Sequence, residues 1–108
     1  MGKFEDFLDQ VKTGTRDLAL ELFTEYQETA IKESEAFFAA AKADLERWAK
    51  LLVSGELTRE DFEWLVKGKK DLLDLHALKQ AGLARVRIDK FRNGVLRLVI
   101  DKAFGIFV

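Results

Sequence analysis

The sequence predicts an all-α chain built as one long antiparallel helical hairpin, and three observations predict it. The 108 residues contain no proline. The only strong breaker near the middle is Ser54-Gly55, and apolar residues recur at an eleven-residue interval on both sides of it. Such a chain reads as a single domain over 1–108, with a first arm over about 3–53, a turn at 54–57 and a second arm over about 58–106.

In the first arm the rows are Phe4, Thr15, Tyr26, Phe37, Trp48, then Phe7, Leu18, Thr29, Ala40, Leu51, and beside them Leu8, Ala19, Ala30, Ala41, Leu52. An eleven-residue repeat is about 3.67 residues per turn, so this stripe runs nearly straight along the helix. Thr13-Gly14-Thr15 is its weak point. Glycine costs about 1 kcal/mol relative to alanine inside a helix, and Thr15 is able to cap a new one, so a short separate N-terminal helix is the alternative. Ala36 to Ala43 is rich in alanine, which favours helix and lets a neighbour approach closely.

Gly55 suits the left-handed position that ends a helix. Thr58, followed by Arg59-Glu60-Asp61, is an N-cap with acids in the first turn. The eleven-residue rhythm then returns in Phe62, Leu73, Ala84, Val95, Ile106, with Val66, Ala77, Ile88 and Val99 beside it. Phe62, Leu73 and Phe91 are expected in the seam between the arms. Asn93-Gly94 is the sequence of a tight β-turn. As a hairpin, however, it would set Arg87 against Ile100 and Lys90 against Arg97, so the strands disagree about the buried face and like charges meet. Helix is preferred, with Gly82 and Asn93-Gly94 as places where it kinks.

The net charge is only -1, but the halves differ. Through Ser54 there are 7 Lys or Arg against 11 Asp or Glu, and from Gly55 onward 11 against 8. Asp17, Glu21, Glu25, Glu28, Glu33 and Glu35 make one stretch acidic. Lys79, Arg85, Arg87, Lys90, Arg92 and Arg97 make another basic. If the chain folds back at Gly55, residue i lies beside roughly 109 minus i, and the acidic stretch faces the basic one. Exposed ion pairs contribute little each, but the complementarity selects this pairing over like-signed alternatives. Two independent solvated faces are the plainer reading.

The second arm carries a further apolar strip: Leu75, Leu78, Val86, Leu96, Ile100, Phe104 and Phe107 project well away from the Phe62 row. One hairpin buries one strip, so Leu75, Val86, Leu96, Ile100, Phe104 and Phe107 are expected to make contacts outside it. The simplest outcome is a homo-oligomer, a dimeric four-helix bundle. The runner-up is reversible binding to an anionic membrane surface, which basic residues flanking an apolar face would serve. The end of the chain, Ala103 to Val108, with Phe4 and Phe7 makes an aromatic-rich open end that would plug such a bundle.

Chemistry is thinly represented. There is no cysteine and one histidine; His76 has Leu72 and Leu73 where a Glu-x-x-His di-iron site needs a carboxylate. Glu21, Glu25 and Glu28 would share a helix face, which is more often a solvated row than a metal site. Gly68-Lys69-Lys70 lacks the upstream glycine and hydroxyl residue of a phosphate loop. No catalytic, cofactor-binding or metal-binding residue is assigned. A nucleic-acid partner is not expected of a slightly acidic chain. The acidic start carries no secretory signal, and no uncharged run approaches the roughly 18 residues of a membrane span. The expectation is a non-enzymatic assembly protein, cytoplasmic or peripheral to a membrane.

Overall fold

Residues 2–108 are described by a computed structural model, and among them helix accounts for every regular element: α1 Lys3–Leu22, α2 Gln27–Ser54, α3 Arg59–Lys67, a 3-10 turn Lys70–Leu72, α4 His76–Gln80 and α5 Arg85–Phe107. The turn at the midpoint is built as local chemistry dictates. Gly55 takes φ 80°. Its N–H donates to Leu52 O at 3.2 Å, and that of Glu56 donates to Leu51 O at 3.0 Å, the paired bonds of a glycine-terminated helix. Thr58 then accepts a hydrogen bond from Asp61 N at 3.1 Å and starts α3.

Neither arm is one helix. The first breaks at Phe23–Tyr26, away from the suspected Gly14, which lies inside α1. The break lets Phe23 bury completely, edge-on to Phe91 with ring centroids 5.4 Å apart. It also frees the Leu22 carbonyl, which accepts hydrogen bonds from the Arg87 guanidinium. A cation at the negative end of α1 is favourable there. The fold-back lays α1 along α2, with Lys12 and Thr15 beside Ser34 and Phe38 and, further along, Phe4 beside Ala49 and Val53.

The second arm breaks twice, at Gly68–Leu75 and at Ala81–Ala84. Leu73, Leu75 and Leu78 are all fully buried, and a single α-helix would spread them over opposite faces. The chain bends instead. Leu75 sits at φ 57°, an unfavourable conformation for a bulky residue that the surroundings must hold. Arg92 donates to the carbonyls of Leu73 (2.9 Å) and Asp74 (3.3 Å), and Glu33 accepts from Ala77 N at 2.8 Å. Those bonds replace the helical ones the bend gives up. Gly82, at φ 81°, closes the α4 turn. Asn93-Gly94 lies inside α5.

α5 runs antiparallel to α1 along most of its length: Phe7 meets Phe107 (5.4 Å between centroids), Leu98 lies over Gly14, Leu18 over Gly94 and Phe23 on Phe91. α3 packs on the other side of α5, where Phe62 meets Phe104 at 5.8 Å and Glu63 meets Arg97 at 2.9 Å. The result is a bundle of α1, α2, α3 and α5 closed within one chain. This corrects the reason for expecting a partner at the second strip. Leu75, Leu96, Ile100 and Phe107 are buried inside the chain and Phe104 is half-buried, because each arm folds back on itself and covers what a straight hairpin would leave bare. Val86, 75% exposed, is the only one of the six left at the surface. Phe62, Leu73 and Phe91 are buried.

Candidate functional site

The interior offers no reacting group left over. Buried Thr15 and Ser34 donate their hydroxyls to Val11 O (2.8 Å) and Ala30 O (2.7 Å) one turn back in their own helices. Among the described residues no buried side-chain polar atom lacks a partner, and no group of three metal-ligating side chains is assembled. His76 is exposed at the start of α4. Glu21, Glu25 and Glu28 do not form a helical row, because Glu25 lies in the link between α1 and α2. What remains is surface.

The solvent face of α2 is the most regular of these surfaces. Glu28, Lys32, Ala36, Ala39, Ala43, Glu46, Lys50 and Val53 are all exposed, and at 100° per residue they fall within about 100° of arc. Four alanines, counting Ala40 at its margin, hold its centre. The charges sit at its two ends as Glu28/Lys32 and Glu46/Lys50, and among the described residues none of the four takes part in an ion pair. The alanine block is visible in the sequence. The flanking charges escape notice because the signal is one Glu-Lys order repeated at equal distances on either side of Ala39, in a helix whose bounds the sequence does not reveal.

At the end of α2, Phe4, Ala49, Val53 and Phe107 line an apolar groove of about 300 Å³ rimmed by Lys3, Glu46 and Lys50. This is the aromatic open end expected from the sequence, with Phe107 seated in it.

The third surface is a groove of about 620 Å³ between α3, the 3-10 turn and α5, lined by Lys67, Lys70, Asn93, Gly94, Leu96, Arg97 and Ile100. Leu96 and Ile100, two of the expected interaction residues, lie beneath it and stay buried, 5% and 0% exposed. Glu63 bridges Lys67 (3.0 Å) and Arg97 (2.9 Å), and Arg97 also reaches Asp101 at 3.4 Å. The hydrogen bond from Lys67, then that from Arg97, holds the Glu63 carboxyl below its ordinary 4.5, and Glu63 in turn raises Arg97. Lys70 has no ion-pair partner among the described residues. A neighbouring groove of about 470 Å³ holds Lys79, Arg85 and Arg92, but Asp74 and Asp89 already pair with them.

Beyond these grooves stand Trp64, 75% exposed on α3, and Leu72, 46% exposed. Among the described residues no helix is long and apolar enough to cross a membrane. Comparison with known protein families, curated proteins and solved structures finds no match.

Proposed function

We propose that the chain is a non-enzymatic helical module that works by associating with a second copy of itself through the outer face of α2. The observation that carries this reading is that the face is complementary to itself. In an antiparallel two-fold pairing centred on Ala39, Glu28 lies beside the partner's Lys50 and Lys32 beside the partner's Glu46. The alanines meet in the middle, where small side chains let two helices approach closely. A two-fold contact uses the same patch on both copies and so doubles each favourable pair. Two such hairpin-like subunits side by side make a larger helical bundle of the kind the sequence suggests, although the seam differs from the one expected. A strip along one helix is smaller than the roughly 800 Å² per partner of a standard interface, so the association is weak, about micromolar or weaker.

The test is a charge swap read by light scattering after size-exclusion chromatography, over a range of concentrations. Glu28→Lys sets like charges against each other at both ends of the seam and should shift the protein to monomer. Adding Lys50→Glu restores opposite signs and should recover the dimer. If the single variant associates as the parent does, or the double variant stays monomeric, this pairing is wrong.

Binding to an anionic membrane surface is the second reading, supported by Trp64 lying one turn before Lys67 on α3. An interfacial aromatic beside a cation suits the headgroup region, but Glu60 and Asp61 occupy the same side of α3 and oppose an anionic surface. Sedimentation with phosphatidylglycerol vesicles decides it: pelleting that is lost in Trp64→Ala supports the membrane reading, and no pelleting removes it.

A further inference from the structure

We propose that the chain exchanges its C-terminal segment, α4 and α5, with a second copy of itself, using residues 73–75 as the hinge. The break between α3 and α4 is slight in backbone terms. Gly68 keeps right-handed helical angles (φ −65°, ψ −16°), and Lys70–Leu72 continues as a 3-10 turn. The chain leaves the helical path at Leu73 (φ −97°, ψ 69°) and Leu75 (φ 57°, ψ 36°), with Asp74 between them. Leu75 is the one non-glycine residue of positive φ among those described, a conformation that a bulky side chain enters only under constraint. The second break turns at Gly82 (φ 81°), where no such constraint arises.

The sequence does not oppose a straight helix at this hinge. The chain has no proline, and the apolar rows Phe62, Leu73, Ala84 and Val66, Ala77, Ile88 pass through it in register. The bonds that hold the bend also fall on the groups a straight helix would use for itself. Arg92 donates to the carbonyls of Leu73 (2.9 Å) and Asp74 (3.3 Å), and Glu33 accepts from Ala77 N at 2.8 Å. In one helix from Arg59 to Gln80, the Ala77 N–H would donate to Leu73 O and that of Leu78 to Asp74 O. Straightening therefore satisfies the backbone groups it releases and relaxes Leu75.

A straight helix through residues 59–80 carries α5 away from its own α1 and α3. The vacated surfaces are shaped for another α5. The contacts of Leu18 over Gly94, Phe23 on Phe91 and Phe62 on Phe104 can each be remade between two copies, so the exchanged dimer repeats the seams of the closed chain and differs at the hinge. The bent chain buries Leu73 and Leu75 completely, so the closed form holds in dilute solution and concentration drives the exchange. The exchange runs through α5, away from the outer face of α2, and stands independently of the self-association reading.

The test uses the full chain carrying Glu28→Lys, which opposes the α2 seam. It is equilibrated near its melting temperature at high and at low concentration, chilled, and read by light scattering after size-exclusion chromatography. A dimer should form in the concentrated sample, survive dilution in the cold because α5 must unpack before it can return, and revert to monomer on rewarming. Asp74, with its side chain 62% exposed, allows the hinge to be changed without touching the core. Asp74→Ala and Asp74→Gly both remove the carboxylate and differ in helix preference at each of the two hinges, so the alanine variant should form this dimer about tenfold or more tightly. No dimer after concentrated equilibration overturns the exchange, and so does a dimer that dissociates as soon as it is diluted. Equal dimer fractions in the two Asp74 variants would place the hinge elsewhere and overturn it as well.

Discussion

Two glycines do opposite things on the same helix, and the difference is a few ångströms of empty space. A Cβ on Gly94 would stand 2.5 Å from Leu18 Cδ2, and one on Gly14 would stand 2.9 Å from Leu98 Cδ2. Each glycine therefore receives a leucine of the facing helix, and the two contacts are reciprocal across the α1/α5 seam. Gly105 is also within α5, yet nothing lies within 4 Å of where its Cβ would be. Replacing a helical glycine with alanine gains about 1 kcal/mol from propensity alone. Gly105→Ala should realise most of that gain in a urea unfolding curve. Gly94→Ala should gain clearly less than Gly105→Ala, because the Leu18 terminal methyl must shift to admit the new Cβ and that offsets the helix gain. If both variants gain equally, α1 and α5 are not packed through these glycines. In the sequence, Asn93-Gly94 reads first as a turn signal. Only the register test reveals it as helix, and nothing local reveals that its missing side chain is a socket.

At the scale of elements, what is legible divides by whether the cause is local. The turn at Ser54-Gly55 and the cap at Thr58 are written in residues that act on their own backbone, and they form where the sequence places them. Phe23-Thr24-Glu25-Tyr26 contains neither glycine nor proline. The helix ends there because Phe23 has a socket against Phe91 and because Arg87, far along the chain, supplies the donors that Leu22 O requires. The same holds at Leu73 to Ala77, whose backbone is satisfied by Arg92 and Glu33. The expected pairing of the acidic stretch with the basic one does not take the form of ion pairs: among the described residues none joins the two, and Arg87 and Glu33 reach the opposite arm through a backbone carbonyl and a backbone N–H. Arg87 accordingly carries a testable burden. Arg87→Lys keeps the charge near the α1 terminus but loses the planar pair of donors. It should cost about 1 kcal/mol, and Arg87→Ala should cost more because Phe23 also loses the guanidinium 5.6 Å from its ring. A lysine variant indistinguishable from the parent in denaturant would mean that charge alone holds the α1 end.

At the scale of the whole molecule, the question is whether folding and association are one event or two. A straight hairpin with a bare second strip would fold only as it found a partner, and its melting temperature would rise with concentration. Here the strip is covered within the chain: α5 is flanked by α1 and α3, and its Val95, Val99, Ile100 and Ala103 are fully buried without a second molecule. The candidate α2 seam is instead made of alanines and exposed charges, groups that contribute little to any one subunit's core. Association through such a face adds to a fold already complete. The expected outcome is a helical signal that stays constant, and a melting temperature that falls by only about a few degrees, as the protein is diluted from the concentration where light scattering reports dimer to the one where it reports monomer. A melting temperature that falls steeply across that range, with helicity lost in the monomer, would show that the subunit cannot close its own core and would return the second strip to the role of an interface.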